Sequence, residues 1–119
     1  MKCFTLTILG VFIGLVSFSQ ISIKLEDVSK HTGDSVKVCG KVYGIRYLAD
    51  TKNSPTFINM GAAFPNQQLT VVIWGDVRGQ FETAPEELFK DKEICVTGRI
   101  QLYKEKVQIV VTKKEKISL

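Results

Sequence analysis

The chain has 119 residues, 45% of them hydrophobic and 24% charged, with a formal net charge of +4. That length holds one small domain and excludes a multidomain architecture. The charge is mild, so no class of partner follows from it alone.

The chain opens MKCFTLTILGVFIGLVSFSQ, with one positive charge at Lys2, an apolar run from about Phe4 to Val16, and small residues at Ser17 and Ser19. This is the order of a secretory signal peptide over residues 1–19, with cleavage between Ser19 and Gln20. An uncleaved anchor and a buried strand are the competing readings. The apolar run falls short of the roughly 20 residues a spanning helix needs. Cys3 precedes the apolar core, where a lipid-attachment cysteine would be useless. Cleavage leaves residues 20–119 as a single domain with no stable membrane span, secreted or periplasmic.

The mature chain carries 15 basic and 12 acidic residues, unevenly spread. Gly61 to Glu93 has three basic and six acidic residues, and Ile94 to Leu119 six and two. A basic end segment attracts polyanions; it is also what a solvated, aggregation-resistant strand edge looks like.

ISIKLEDVSKHTGD leads in, with Leu25 and Val28 as the inner face of a short helical turn closed by Gly33 and Asp34. A first strand follows from Ser35 to about Tyr47, with Val36, Val38, Gly40 and Val42 on one face, and Gly40 is where so long a strand can bend. LADTKNSP is turn chemistry, TFINM a second strand, GAAFPNQQ a second turn. LTVVIWGDV reads as a third strand, apolar on both faces and so covered on both. RGQFETAPEELFKDK holds a one- or two-turn helix with Pro85 at its first position and Glu86 and Glu87 in its first turn. EICVTGRIQLY and KVQIVV form a hairpin around Lys104 and Glu105, with Ile94, Val96, Ile100 and Leu102 facing one way.

Three strands, a short helix between strands three and four, then two strands, predict an all-β fold. Curling into a barrel hides the edges that a flat sheet of this size would leave open. The expected architecture is the five-stranded Greek-key oligonucleotide/oligosaccharide-binding (OB) barrel, with a small open sheet and one helix as the alternative.

Cys39 and Cys95 both fall on the polar phase of their strands. In an OB barrel the first and fourth strands are antiparallel neighbours. Placing Cys39 opposite Cys95 sets Val38 against Val96 and Val36 against Gly98, so the apolar phases match without a slip. Two outward thiols on paired strands of an exported chain point to a disulfide. Free thiols and redox chemistry are the alternatives, and a zinc site lacks ligands, since the only histidine is His31 in the leading turn.

The stretches HTGDSVKVCGKVYGIRY, SPTFINMGAAFPNQQLTVVIWGDVRGQF and KEICVTGRIQLYKEKVQIVV, above all VCGKV, FPNQQLTVVIWG and ICVTGRI, resemble a family of small exported bacterial OB-fold modules, some beside nuclease domains. The resemblance covers nearly all of residues 20–119. It implies the OB fold and nucleic-acid binding, and no demonstrated activity. Modules of this kind favour glycine and proline in the last hairpin, where this chain has Glu105 and Val107, which leaves the form of the hairpin tip open.

Neither a nucleophile elbow, a histidine paired with a nucleophile, a metal-ligand cluster nor a phosphate-cradling glycine loop is legible. A nuclease-like site would draw on Asp76 and Arg78 at the end of the third strand, yet Asp76, Glu82, Glu86, Glu87, Asp91 and Glu93 read as solvated charge around the helix. The expectation is a non-catalytic binding module without a cofactor. OB barrels bind on the outer surface of strands two and three and on the loops joining strands one to two and four to five. That assigns Arg46, Tyr47 and Lys52 from the first loop, Tyr103, Lys104 and Lys106 from the last hairpin, Tyr43 and Arg99 from outward phases, and Phe57 and Trp74 if their registers point outward. Aromatic rings beside cations suit single-stranded DNA or RNA, where bases stack and phosphates take the charge. The same residues suit another polyanion, a protein or envelope partner, or an oligosaccharide. Against a binding role, Phe64, Phe81 and Phe89 read as core or loop anchors rather than platforms, and Trp74 is open to the same reading.

Overall fold

A computed structural model of the protein describes residues 21–119; the expected signal peptide lies outside the described residues. The strands are β1 (Ile21–Ile23), β2 (Ser35–Tyr47), β3 (Thr56–Met60), β4 (Leu69–Ile73), β5 (Glu93–Tyr103), β6 (Lys106–Val110) and β7 (Ile117–Ser118). Single helical turns α1 (Gly75–Arg78) and α2 (Pro85–Leu88) lie between β4 and β5, and a 3-10 segment, Leu25–His31, precedes β2.

Strands β2, β3, β4, β6 and β5 pair in that order, and β2 pairs again with β5 to close the barrel. All these pairings are antiparallel except β4–β6. This is the OB barrel. The inward residues Val36, Val38, Val42, Ile58, Met60, Leu69, Val71, Ile73, Ile94, Val96, Ile100 and Ile109 are fully buried and fill it. Val28 of the 3-10 segment, Val77, Phe89 after α2, Val111 and Ile117 complete the core, Phe89 meeting the Phe81 ring edge-on at 6.1 Å. The short β1 and β7 run outside the expected five, β1 parallel to β2 and β7 antiparallel to β5.

Strand β2 serves two neighbours in turn. Ser35 to Lys41 pair with β5, and Val42 to Tyr47 pair with β3. Between them the register shifts at Tyr43, since Val42 faces Met60 and Gly44 faces Asn59. This register shift sits three residues beyond Gly40. The missing side chain at Gly40 serves close packing: a Cβ there would stand 2.7 Å from Leu25 Cδ2. An extra residue in one strand reverses the alternation beyond it. Before the bulge Val36, Val38 and Val42 point inward; after it Ile45 takes the inward phase and Arg46 the outward one.

Strand β4 ends at Ile73, earlier than the apolar run predicts. Trp74 precedes α1, and Arg78 N donates to Trp74 O at 2.8 Å. Gly75 makes the turn feasible, because its N donates to Asn53 O at 2.8 Å and a Cβ would lie 2.9 Å from that oxygen. The expected cover on both faces of β4 holds, with outward Val72 also buried. Leu102, predicted inward with Ile100, is 58% exposed because β5 has by then run past the end of the barrel. The hairpin tip turns through Lys104 and Glu105, both left-handed at φ 51° and 66°. That is the geometry of a two-residue hairpin turn, here made without glycine.

Cys39 faces Cys95, with Val38 opposite Val96 and Val36 opposite Gly98, and the two thiols form a disulfide. The matched register brings their Cα atoms to 4.0 Å. Gly98 lets the strand pack closely, since a Cβ would come 2.6 Å from Ile109 Cγ2.

Candidate functional site

One cleft gathers the outer face of β3 and β4, the end of β2, the 61–68 loop and the β5–β6 hairpin. It encloses about 450 Å³. Its positions follow from strand alternation. In β3, Thr56, Ile58 and Met60 are buried, so Phe57 and Asn59 face outward; opposite them on β4 Thr70 is outward too. Arg46 stands across from Phe57, on the outward phase that the Tyr43 bulge creates. Tyr103 and Lys106 are paired at the hairpin end, with Lys104 at its tip.

The lining sorts into three chemistries. Phe57, Phe64 and Tyr103 supply rings, with Leu48 beside them; Arg46, Lys104 and Lys106 supply positive charge; Asn59, Gln67, Thr70 and Gln108 supply hydrogen-bonding groups. No aspartate or glutamate lines it. Lys104 Nζ lies 5.4 Å from the centre of the Tyr103 ring, so the cation and the ring occupy the same corner. Gln67 Nε2 donates to Thr70 Oγ1 at 2.9 Å, while Gln67 Oε1 is buried without a hydrogen-bond partner among the described residues.

Of the residues predicted for binding, Arg46, Phe57, Tyr103, Lys104 and Lys106 come together here. Tyr43, Tyr47, Lys52, Trp74 and Arg99 do not line the cleft. Tyr43 is the bulge residue, with Lys41 Nζ 5.4 Å from its ring centre. Lys52 is exposed in the loop between β2 and β3. Trp74 stands at the start of α1, and Arg99 faces Ser35 on the β2–β5 side.

Tyr47 shows why adjacent strand residues cannot serve one face. With Arg46 outward, Tyr47 takes the opposite phase, and the Arg78 guanidinium stacks 3.4 Å from its ring centre. Arg78 in turn donates through Nη1 and Nη2 to the two carboxylate oxygens of Glu86 at 2.7 and 2.8 Å, and through Nη1 to buried Thr56 Oγ1 at 3.0 Å. The bidentate bond from Arg78 holds the Glu86 carboxyl below its ordinary range, partly opposed by burial. Glu86 raises the Arg78 pKa by the same contact.

A folded-state pKa below the unfolded one stabilises at pH above the unfolded value and is lost as pH falls through the folded value. Glu86→Gln should therefore cost about 1 kcal/mol at neutral pH, no more because the carboxylate is partly solvated and screened. Urea unfolding should show that difference at pH 7, and it should vanish at acid pH once Glu86 is protonated. An equal difference at both values would mean that the ion pair is not its source.

Asn59, Phe64, Gln67, Thr70, Gln108 and Leu48 were not anticipated. Asn59 and Gln108 were legible, because they share outward phases with Phe57 and Lys106. Phe64 was not: the expectation of a core or loop anchor is corrected by a side chain 71% exposed, carried over the cleft by the 61–68 loop. Among the described residues no group of three or more histidine, cysteine, aspartate or glutamate side chains is placed to hold a metal ion, and no helix is long and apolar enough to cross a membrane.

No protein-family model and no curated protein matches the sequence. Solved structures do match the fold. A chain from the crystal structure of yeast Stn1 and Ten1 is similar over 84% of this chain and 62% of its own, with 14% identity and a TM-score of 0.57. A putative aspartyl-tRNA synthetase from Leishmania major Friedlin is similar over 86% of this chain, with 12% identity and a TM-score of 0.52. The asparaginyl-tRNA synthetase of Entamoeba histolytica, solved with asparaginyl-adenylate, is similar over 82% of this chain, with 21% identity and a TM-score of 0.53. The protein spans 21% and 23% of the two synthetase chains, and less than two thirds of the first. At these identities the likeness is one of fold.

Proposed function

We propose that the protein is an exported, non-catalytic OB-fold module that binds single-stranded nucleic acid through this cleft. The observation that carries the reading is the convergence of Phe57, Phe64 and Tyr103 with Arg46, Lys104 and Lys106 in a cleft free of carboxylates. Bases stack on rings and phosphates take the charge, and neither demand is specific to sequence. A non-catalytic role is supported by Arg78, which is engaged by Glu86, Thr56 and Tyr47. Export is supported by the pattern of residues 1–19 and agrees with a disulfide, which persists in oxidising compartments. Mass analysis of the protein recovered from outside the cytoplasm should find a chain beginning at Gln20.

Fluorescence anisotropy of a labelled oligothymidylate tests the binding. Affinity should fall with salt with a log–log slope of about −2, from three cations at about 0.7 each. Binding that ignores salt, or no binding at low salt, would exclude nucleic acid and leave a protein or envelope partner.

A further inference from the structure

A second recess of about 460 Å³ lies on the outer face of the barrel, holding the cations Arg99 and Lys116 among Ser35, Thr97 and Thr112. It too has no aspartate or glutamate in its lining, and neither cation makes an ion pair among the described residues. Its relation to the cleft follows from register. Gln101 lines the recess and Gln108 lines the cleft, and the two stand directly opposite one another on β5 and β6. Gln108 is the partner of Thr70, and Thr70 of Asn59. One uncharged row of Asn59, Thr70, Gln108 and Gln101 thus crosses four strands from the cleft to the recess. At about 4.8 Å per strand the row spans about 14 Å.

We infer that the binding site does not end at the cleft: a single strand held there continues across the Gln108–Gln101 step, and its phosphates reach Arg99 and Lys116. The inference rests on the proposed function. The two cationic recesses match a polymer that bears charge at every unit, and the amide row between them offers hydrogen bonds with no repelling charge. A small anion would need one recess and leave the row unexplained. Arg99 thereby returns as a binding residue, at the far end of the track.

The test uses the full mature protein and oligothymidylates of about 4 and about 12 nucleotides, within the range one OB fold accommodates. The wild type should bind the longer probe at least about tenfold more tightly than the shorter. Arg99→Ala with Lys116→Ala should abolish most of that gain, leave the short probe unchanged, and reduce the salt slope for the long probe by about 1.4. Gln101→Glu, which sets a negative charge in the middle of the track, should weaken only the long probe. These side chains lie outside the core, and melting curves confirm that each variant is folded. If the long probe gains nothing in the wild type, or keeps its gain in both variants, the extension is overturned and the cleft reading survives. If the short probe is weakened equally, the recess is not a separate extension and the inference fails. If neither probe binds the wild type at low salt, the nucleic-acid reading itself fails.

Discussion

Replacing Cys39 and Cys95 by serine is expected to lower the unfolding free energy by about 4 kcal/mol, and to lower the melting temperature by more than about 15 °C. The bridge joins positions 56 apart in sequence, and on the chain-entropy account a loop of that length gives a stabilisation of about this size. Its place in the fold adds to the expectation. Pairing between β2 and β5 runs from Ser35 opposite Arg99 to Lys41 opposite Glu93, and it is the seam that closes the barrel. That seam depends on contacts distant in sequence, whose closure costs the most entropy in an open chain. The effect against a total stability of roughly 5 to 10 kcal/mol would be severe for a domain this small. Guanidinium unfolding with and without reductant measures it. A loss below about 1 kcal/mol would mean that the reduced unfolded chain keeps β2 near β5 by other means.

The second large effect is on binding. Phe64→Ala together with Tyr103→Ala should weaken single-stranded oligonucleotide by roughly 2 to 6 kcal/mol, at about 1 to 3 kcal/mol per stacked base. Both rings are well exposed, at 71% and 58%, so their removal should leave the melting temperature almost unchanged. Tyr47→Ala is the contrasting variant: its ring packs on Arg78 outside the cleft, so it should leave affinity near that of the wild type. Anisotropy titrations of the three proteins against one probe decide the matter. Undiminished affinity in the double variant would remove the stacking platform from the proposed function. A loss in Tyr47→Ala as large as in the double variant would move the platform to the other side of β2.

Much of the barrel was legible because the signals for it are local. The alternating runs in Ser35–Tyr47, Thr56–Met60 and Glu93–Tyr103, and Pro85 with its acidic first turn, announce their elements within a few residues. The cysteine pairing was legible for a related reason: both cysteines fall on the outward phase, and setting Cys39 opposite Cys95 matches the apolar phases of the two strands without a slip. The end of β4 was not. WGDV continues an apolar pattern, and what stops the strand is the approach of Asn53 O to Gly75, a contact with a loop about twenty residues earlier.

The site divides along the same line. Read alone, the sequence determined an OB barrel with a disulfide seam and a cationic, aromatic β5–β6 hairpin, since periodicity, turn residues and register matching are properties of neighbours along the chain. Tertiary structure alone decided that the cleft receives Phe64 and not Tyr47. The bulge at Tyr43 arises because one strand must pair first with β5 and then with β3. It reverses the phase, turning Arg46 toward the cleft and Tyr47 toward Arg78. Phe64 reaches the cleft from a loop whose path is set by where β3 and β4 end. Neither outcome has a local signature, because each is fixed by partners distant in sequence.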